Sequence, residues 1–243
     1  MASTNKVAVV TGAGSGIGTA IAQALSDAGA AVCINYFGAY EDDAKAHAAT
    51  LPHAIAVSAD VSDPTSVAAM VDTTTKELGA PSILVNNAGV FTFAALEGVT
   101  EADFHRQFDT NVLGTLLATQ QAAATFRDGG SVINLSTISS VNPVPNSVVY
   151  SASKSAVDAV TRTLAIELAG KGIRVNAIAP GPTETEGLAA FGVTAESAKA
   201  MGFKLPMGRL GRPDDIARVA LFLASDQAAW VTGERISVSG GER

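Results

Sequence analysis

A chain of 243 residues with 47% hydrophobic and 16% charged content has enough apolar side chain to bury a sizeable core, which excludes a disordered polymer. A formal net charge of −7 argues against a nucleic-acid or anionic-membrane surface, and Cys33, the lone cysteine, excludes an intrachain disulfide. No apolar run approaches bilayer-spanning length and "VAVV" is too short for a secretory leader, so a cytoplasmic location without membrane contact is expected.

In chain order, short runs rich in Val and Ile recur: "KVAVVTG", "AAVCINY", "HAIAVSAD", "SILVNNAG", "GSVINLS", "IRVNAIAPG" and "ERISVSGG". Each ends in Gly, Asn, Asp or Ser, as parallel strands buried on both faces do. Between them, alanine-rich stretches such as "GIGTAIAQALSDAGA", "PTSVAAMVDTTTKELGA" and "SASKSAVDAVTRTLAIELAGKG" repeat apolar residues at three and four, with glycines placed as helix stops. About seven strands alternating with helices predict an α/β doubly wound (Rossmann) parallel sheet with helices on both faces, as one domain over 1–243. Ligands in such sheets bind outside the carboxyl ends of the strands. Those ends are Thr11–Gly18, Asn35–Tyr36, Asp60–Val61, Asn86–Gly89, Ser136–Ser140 and Pro180–Thr185.

"VVTGAGSGIG" reads as strand, glycine turn and helix start. Gly12, Gly16 and Gly18 would supply a tight turn, close approach to a pyrophosphate and close helix packing, with helix amides holding the anion. The spacing is G-x-x-x-G-x-G, and any tight strand–helix turn could use it; its place on the first strand is what favours a dinucleotide. A carboxylate about 20 residues on would take a ribose 2′-hydroxyl and select NAD. Asn35 and Tyr36 stand there instead, and the first acids, Glu41 and Asp42, lie beyond the strand. A neutral strand end leaves room for a 2′-phosphate, although neither Ser15 nor Phe37 is basic. The expectation is NADP, with NAD left open.

In "YSASK", Tyr150 and Lys154 are four residues apart and share a face if helical. By itself that pairing suits a partly buried tyrosine beside a solvated lysine equally well. Free tyrosine titrates near about 10, and a neighbouring cation favours its ionised form. Such a phenol could donate to a carbonyl oxygen as hydride arrives, or take a proton from an alcohol in reverse.

"TGAGSGIG", "NNAG", "YSASK" and "APGPTET", in this order and spacing, resemble the short-chain dehydrogenase/reductase superfamily across essentially the whole chain, including "GRLGRPDDIA" and "WVTGERISVSGG". Within it the look is of the 3-oxoacyl-carrier-protein reductase and carbonyl-reductase branch. The resemblance implies Tyr150 as acid/base and Lys154 as its partner, reaching the nicotinamide ribose. Asn111, in "DTNVLG", matches an asparagine holding a water relay behind the lysine; a buried Asn bonded to helix backbone fits it as well. The family's serine, thirteen residues before the tyrosine, is here Thr137, which keeps the hydroxyl on a stiffer side chain. Ser139 remains an alternative if the loop bulges, and Ser136 is expected to point into the sheet. For the cofactor, the resemblance implies Gly12, Ser15, Gly16, Ile17 and Gly18, with Asn35 and Tyr36 at the second strand. Asp60 and Val61 would lie beside the adenine, Asp60 being equally a cap for the helix near Pro64. Asn87, Ala88 and Gly89 would line the adenosine side; Pro180, Gly181, Thr183 and Thr185 would contact carboxamide and phosphates. Asn86 is as well explained as purely structural.

The segment 186–206 is expected to be a substrate lid with hinges at Gly187, Gly192 and Gly202. Phe91, Phe93, Val141, Val144, Leu188 and Phe191 could line an apolar pocket, or serve as ordinary packing. His47, His53 and His105 show no metal spacing, so no metal is expected. Arg127, Lys171 and Arg174 are candidate docking cations for a carrier protein. The expected activity is reversible hydride transfer between NADP(H) and a hydrophobic ketone, such as a 3-oxoacyl thioester, and a secondary alcohol. The alternatives are an NAD-dependent secondary-alcohol or sugar dehydrogenase and a non-catalytic dinucleotide sensor. Relatives of this kind associate through the long helices around Asn111 and after Tyr150, which implies a homotetramer.

Overall fold

The computed structural model describes residues 6–127, 129–190, 192, 194–200 and 204–242. The seven apolar runs become β1 (Val7–Val10), β2 (Ala31–Tyr36), β3 (Ala54–Ser58), β4 (Ile83–Asn86), β5 (Gly130–Leu135), β6 (Ile173–Pro180) and β7 (Arg235–Val238). They form one sheet in the order β3-β2-β1-β4-β5-β6-β7, every neighbouring pair parallel. The central β1 and β4 are buried throughout, whereas the edge strands β3 and β7 are only partly covered. This gradient is what an open sheet covered by crossover helices produces.

Alternate residues of each strand serve opposite faces. Ala8 and Val10 pack with Ile34, Ile133 and Ile178 against Ile21 and Leu25 of α1 (Gly16–Asp27), Ala44 and Ala48 of α2 (Glu41–Thr50), and Ile216 and Leu223 of α9 (Pro213–Ala224). On the other face Val9, Cys33, Leu84 and Val132 meet Met70 of α3 (Pro64–Glu77), Ala118 and Ala122 of α5 (Gly114–Thr125), and Ala165 of α6 (Val148–Leu168). Ile133 is wholly buried, and its truncation to alanine would cost roughly 2–5 kcal/mol. Burial pushes the Cys33 thiol up to about 11, so it is an inert small hydrophobe as its strand context predicts.

Local chemistry sets the element ends. At α3 the cap is Asp63, which accepts from the Thr65 and Ser66 amides at 3.1 Å each, with Pro64 in the first turn. Asp60, for which a cap was the alternative to a place beside the adenine, turns back instead to accept from the Ser62 amide and hydroxyl. After α6 the chain stops at Gly172, whose left-handed φ of 69° a side chain would resist. Between α4 (Glu101–Phe108) and α5 the helix widens into a π turn, Asp109–Leu113, a form that frequently marks function. The expected lid segment holds α7 (Glu186–Ala190) and α8 (Ala195–Ala200); Phe191 and Gly202 lie outside the described residues. Among the described residues no helix is long and apolar enough to cross a membrane.

The strand order reverses its winding between β1 and β4, which opens a crevice at their carboxyl ends. The predicted strand ends converge there.

Candidate active site

The first wall of the crevice is the turn after β1. Gly12 has φ +60°, and a Cβ there would stand 2.7 Å from the Ala88 Cα, so only glycine lets this turn touch the β4 loop. The contact is fastened from both sides. Thr11 Oγ1 accepts from the Asn87 and Ala88 amides at 3.0 Å, and Asn87 Nδ2 donates to the Thr11 and Gly12 carbonyls at 2.9 and 2.8 Å. Asn35 does the same from β2. Its Oδ1 accepts from the Gly12 amide at 3.0 Å, while its Nδ2 donates to the carbonyls of Tyr36, Val57 and Ala59. The side chains of Asn35 and Asn87, both candidate cofactor residues, make these bonds to the glycine turn, and Asn87 also borders the cavity described below. Tyr36 is buried and its hydroxyl hydrogen-bonds Glu41, which is also paired with Lys45. Ser15 sits at the amino end of α1 with no capping bond from its side chain. Val61 packs where Gly114 opens α5, and Asn86 joins a buried ladder through Thr119 and Asn134, a structural role.

The loop after β6 closes the crevice. Gly181 donates to the Val238 carbonyl, Thr183 Oγ1 to the Gly181 carbonyl, and Thr185 Oγ1 accepts from the Leu188 amide to start α7. Thr185 approaches Gly16 to 3.2 Å, measured from the position of a Cβ. The two halves of the crevice therefore meet over the amino end of α1, which aims its amides into the space between.

At the far wall stand the catalytic candidates. A cavity of about 420 Å³ is bordered by Ile17, Asn87, Gly89, Phe91, Phe93, Thr137, Tyr150, Lys154, Pro180, Gly181, Thr183, Thr185 and Leu188, among others. Lys154 is the one charged side chain on its border among the described residues. Thr137 is 8% exposed with extended backbone, and its Oγ1 accepts from the Ser139 amide at 3.3 Å. That leaves the hydroxyl proton for Tyr150, with which Thr137 hydrogen-bonds. Ser139 thus supports Thr137 through its backbone. Ser136, anticipated from sequence to point into the sheet, borders the cavity too; its amide still donates to the Ile178 carbonyl of β6 at 2.8 Å and the residue is buried. Its hydroxyl has no hydrogen-bond partner among the described residues.

Lys154 is 5% exposed and donates to the Leu135 carbonyl at 2.7 Å. Burial brings its pKa down to about 8, against the opposing field of Asp158. The expected depression of the Tyr150 phenol is not found. Burial raises it, and the bond from Thr137 only partly opposes that rise. Lys154 is engaged with a backbone carbonyl, and desolvation is the larger influence on the phenol. Asn111 is fully buried in the π turn. Its Oδ1 accepts from the Val90 amide at 2.8 Å, and its Nδ2 donates to the Val90 carbonyl and Ser153 Oγ at 2.9 and 3.0 Å. Its main-chain carbonyl accepts from Thr115 Oγ1. A Cβ added at Gly89 would stand 3.2 Å from Asn111 Oδ1 and 3.3 Å from Lys154 Nζ, so the two residues flank one glycine.

Several sequence expectations fall elsewhere. Val141 is exposed, and neither it nor Val144 borders the cavity; Phe91, Phe93 and Leu188 do. Arg174 enters at the amino end of β6, where it donates to the carbonyls of Leu223, Ser225 and Val231. Arg127 and Lys171 precede β5 and β6, so all three cations lie at the strand ends opposite the cavity. None of the three histidines borders it. Sequence reasoning missed Ser153, the π turn and Asp158, the last signalled only by its place one turn beyond Lys154.

A glycine turn that a Cβ would block, facing a helix amino end and a hydroxyl–phenol–ammonium group across one cavity, defines a dinucleotide-dependent oxidoreductase of the Rossmann type. The comparisons agree. A family model described as enoyl-(acyl carrier protein) reductase matches residues 12–242. An uncharacterized oxidoreductase of Methylorubrum extorquens is 49% identical over 242 residues, covering 98% of each chain. A versicolorin reductase of Emericella nidulans is 39% identical, over 97% of this chain and 95% of its own. Among solved structures, a blue fluorescent protein from a metagenomic library in complex with NADPH superposes with a TM-score of 0.92 at 36% identity, covering 98% of each chain. The chain belongs to the short-chain dehydrogenase/reductase family and is an NAD(P)-dependent oxidoreductase.

Proposed function

We propose that the protein reduces a hydrophobic ketone to a secondary alcohol with NADP(H), reversibly. The observation that carries this reading is the Thr137–Tyr150 hydroxyl pair on a cavity whose border is otherwise apolar or neutral except for Lys154. The bound nicotinamide would supply the hydride. The chain's own part is to hold the carbonyl oxygen against Thr137 Oγ1 and Tyr150 Oη, and to give it the phenolic proton. A phenol pushed above its ordinary range stays protonated at neutral pH, which suits the reductive direction. Lys154 would stabilise the phenolate left behind, and Asn111 would hold the Val90 backbone and Ser153 beside it. Gly12, Ser15, Gly16, Ile17 and Gly18 would hold the pyrophosphate, with Gly89, Pro180, Gly181, Thr183 and Thr185 around the nicotinamide half.

Three features support NADP over NAD. β2 ends in an engaged Asn35 and a buried Tyr36, the nearest acid Glu41 is occupied by Lys45 and Tyr36, and a structural relative binds NADPH. For the substrate, the Phe91 and Phe93 rings lie 5.9 and 6.2 Å from Tyr150 and 5.8 Å from each other, tilted or edge-on. Such walls favour a flat cyclic or aryl ketone. A 3-oxoacyl thioester remains the competing substrate, without the cation patch proposed for its carrier. The segment 186–206 would close over it, its far end fastened by the buried Glu242 carboxylate to the Lys204 and Leu205 amides.

The test is a panel of cyclic ketones, aryl ketones and 3-oxoacyl thioesters assayed with NADPH and with NADH. Preference for NADH would replace this reading by the NAD-dependent dehydrogenase, and turnover of no ketone at all by the cofactor sensor. We also infer a cytoplasmic homotetramer, supported by the exposed Leu113 and Leu116 at the start of α5 and Ile166 on α6. A clean monomer by light scattering at micromolar concentration would refute it.

A further inference from the structure

One ion pair, its carboxylate buried and its guanidinium partly so, takes no part in the proton transfer described above. Asp158 sits on α6 one turn beyond Lys154 and is 5% exposed; Arg235 opens β7 and reaches its Oδ2 with Nε at 3.0 Å. The guanidinium extends further. Its Nη2 donates to the Thr137 carbonyl at 2.8 Å, and its Nη1 to Ser237 Oγ at 3.0 Å. Ser140 fills the angle between them: its hydroxyl is 2.5 Å from Asp158 Oδ2 and 2.9 Å from the Thr137 carbonyl. Three separate pieces of chain thus meet at one carboxylate: the helix carrying Tyr150 and Lys154, the loop carrying Thr137, and the final strand. Stability alone is a poor reason for such a pair, since buried ion pairs are often matched or bettered by apolar residues of equal size. Asp158 Oδ1 has no hydrogen-bond partner among the described residues, so part of the negative charge is left for Lys154 to feel.

We propose that Asp158 and Arg235 are a positioning pair for the reaction proposed above, holding the Thr137 backbone at the height of Tyr150 and keeping Lys154 in its ammonium form. The field of Asp158 is the one charge that opposes the burial of Lys154. Tyr150 on the same helix and Arg235 from β7 are the other titratable groups on this side. The loops after β1, β4 and β5 bring only uncharged residues to the cavity.

The two partners have the same effect on geometry and opposite effects on charge, which separates this role from simple support of the fold. Asp158→Asn removes the negative neighbour, so Lys154 loses its proton earlier and the alkaline limb of kcat moves to lower pH. Arg235→Gln removes the positive neighbour and leaves the carboxylate, so the limb moves to higher pH. Both should lower kcat about ten- to a hundredfold through a displaced Thr137, with the ketone KM changed far less. Arg235→Lys, which keeps the charge but not the fork, should lower kcat and leave the limb where the wild type has it. It also serves as the informative variant if Arg235→Gln does not fold by circular dichroism. Folded variants with unchanged kcat, or limbs moving in the same direction, would overturn the pair. An inactive Tyr150→Phe beside unchanged pair variants overturns the pair alone; a fully active Tyr150→Phe overturns the acid/base reading and the pair with it.

Discussion

On the β2–β1 side of the cleft, the glycine turn is held by neutral amides: Asn35 accepts from Gly12 and donates to three carbonyls, and Asn87 donates to Thr11 and Gly12. On the β5–β7 side, the same task of fixing a loop falls to charges, with Arg235, Asp158 and Lys154 bonded to one another or to the backbone around Thr137. Neutral amide bonds do not titrate, so a cradle for a fixed anion keeps its shape across pH. A site that moves a proton needs groups whose charge responds to surroundings, and burial is what tunes them. The two sides should therefore fail differently when cut.

The largest effect is expected on the charged side. Tyr150→Phe removes the proposed proton donor and should lower kcat/KM about 10²–10⁴-fold while the melting temperature stays near the wild-type value. Steady-state ketone reduction with NADPH is the measurement, and a loss confined to KM would break the comparison. On the neutral side, Asn35→Ala leaves the Gly12 amide without its partner and takes one donor each from the Tyr36, Val57 and Ala59 carbonyls, of which Tyr36 keeps the Ala59 amide. A cost of about 1–3 kcal/mol in urea unfolding is expected, together with a raised cofactor KM and a kcat close to wild type. An intact cofactor KM in a destabilised variant would show that Asn35 supports the fold without shaping the turn.

How far these parts could be read from the chain follows the same division. The strands were legible because β1, β4 and their neighbours are buried on both faces, so a local run of Val and Ile carries the whole signal. Gly12 and the Tyr150–Lys154 spacing were legible because the constraint is local: a positive φ, or one helical turn. For Asn35, strand-end position says where the residue stands and not that its amide bonds to the Gly12 turn. The Thr137 carbonyl is held from Arg235, 98 residues away, and no local pattern encodes such a partner. The direction of the Tyr150 shift was misjudged for a related reason. Spacing puts the cation near, but only packing reveals that it donates to the Leu135 carbonyl and that desolvation is the larger influence on the phenol.

A smaller effect should appear in the pH profile. Lys154 is held down to about 8 by burial, so its ammonium is present below that value and lost as pH rises through it. If the cation supports the phenolate, kcat falls along an alkaline limb near pH 8. Tyr150 cannot be the cause, because burial moves the phenol upward and away from this range. Binding of ADP, a probe small enough to engage only the glycine-turn side, should stay flat over the same interval. A limb in ADP binding instead of kcat would remove the division between the two sides.

The smallest effect is predicted for Thr137→Ser. The hydroxyl is kept, and its oxygen is still within reach of the Ser139 amide that leaves the proton free for Tyr150. What is lost is a methyl group and with it the stiffness of a β-branched χ1. In a position whose backbone is already pinned through the Thr137 carbonyl by Arg235 and Ser140, that stiffness is largely redundant. The kcat of Thr137→Ser should therefore remain within about tenfold of wild type, whereas Thr137→Val, equal in shape but without the donor, should lose about 10²–10³-fold. The reverse order, Thr137→Val near wild type and Thr137→Ser impaired, would mean that the methyl group, not the hydroxyl, is what the site requires, and that Ser136, already on the cavity border, is the residue to test next as the donor to the carbonyl.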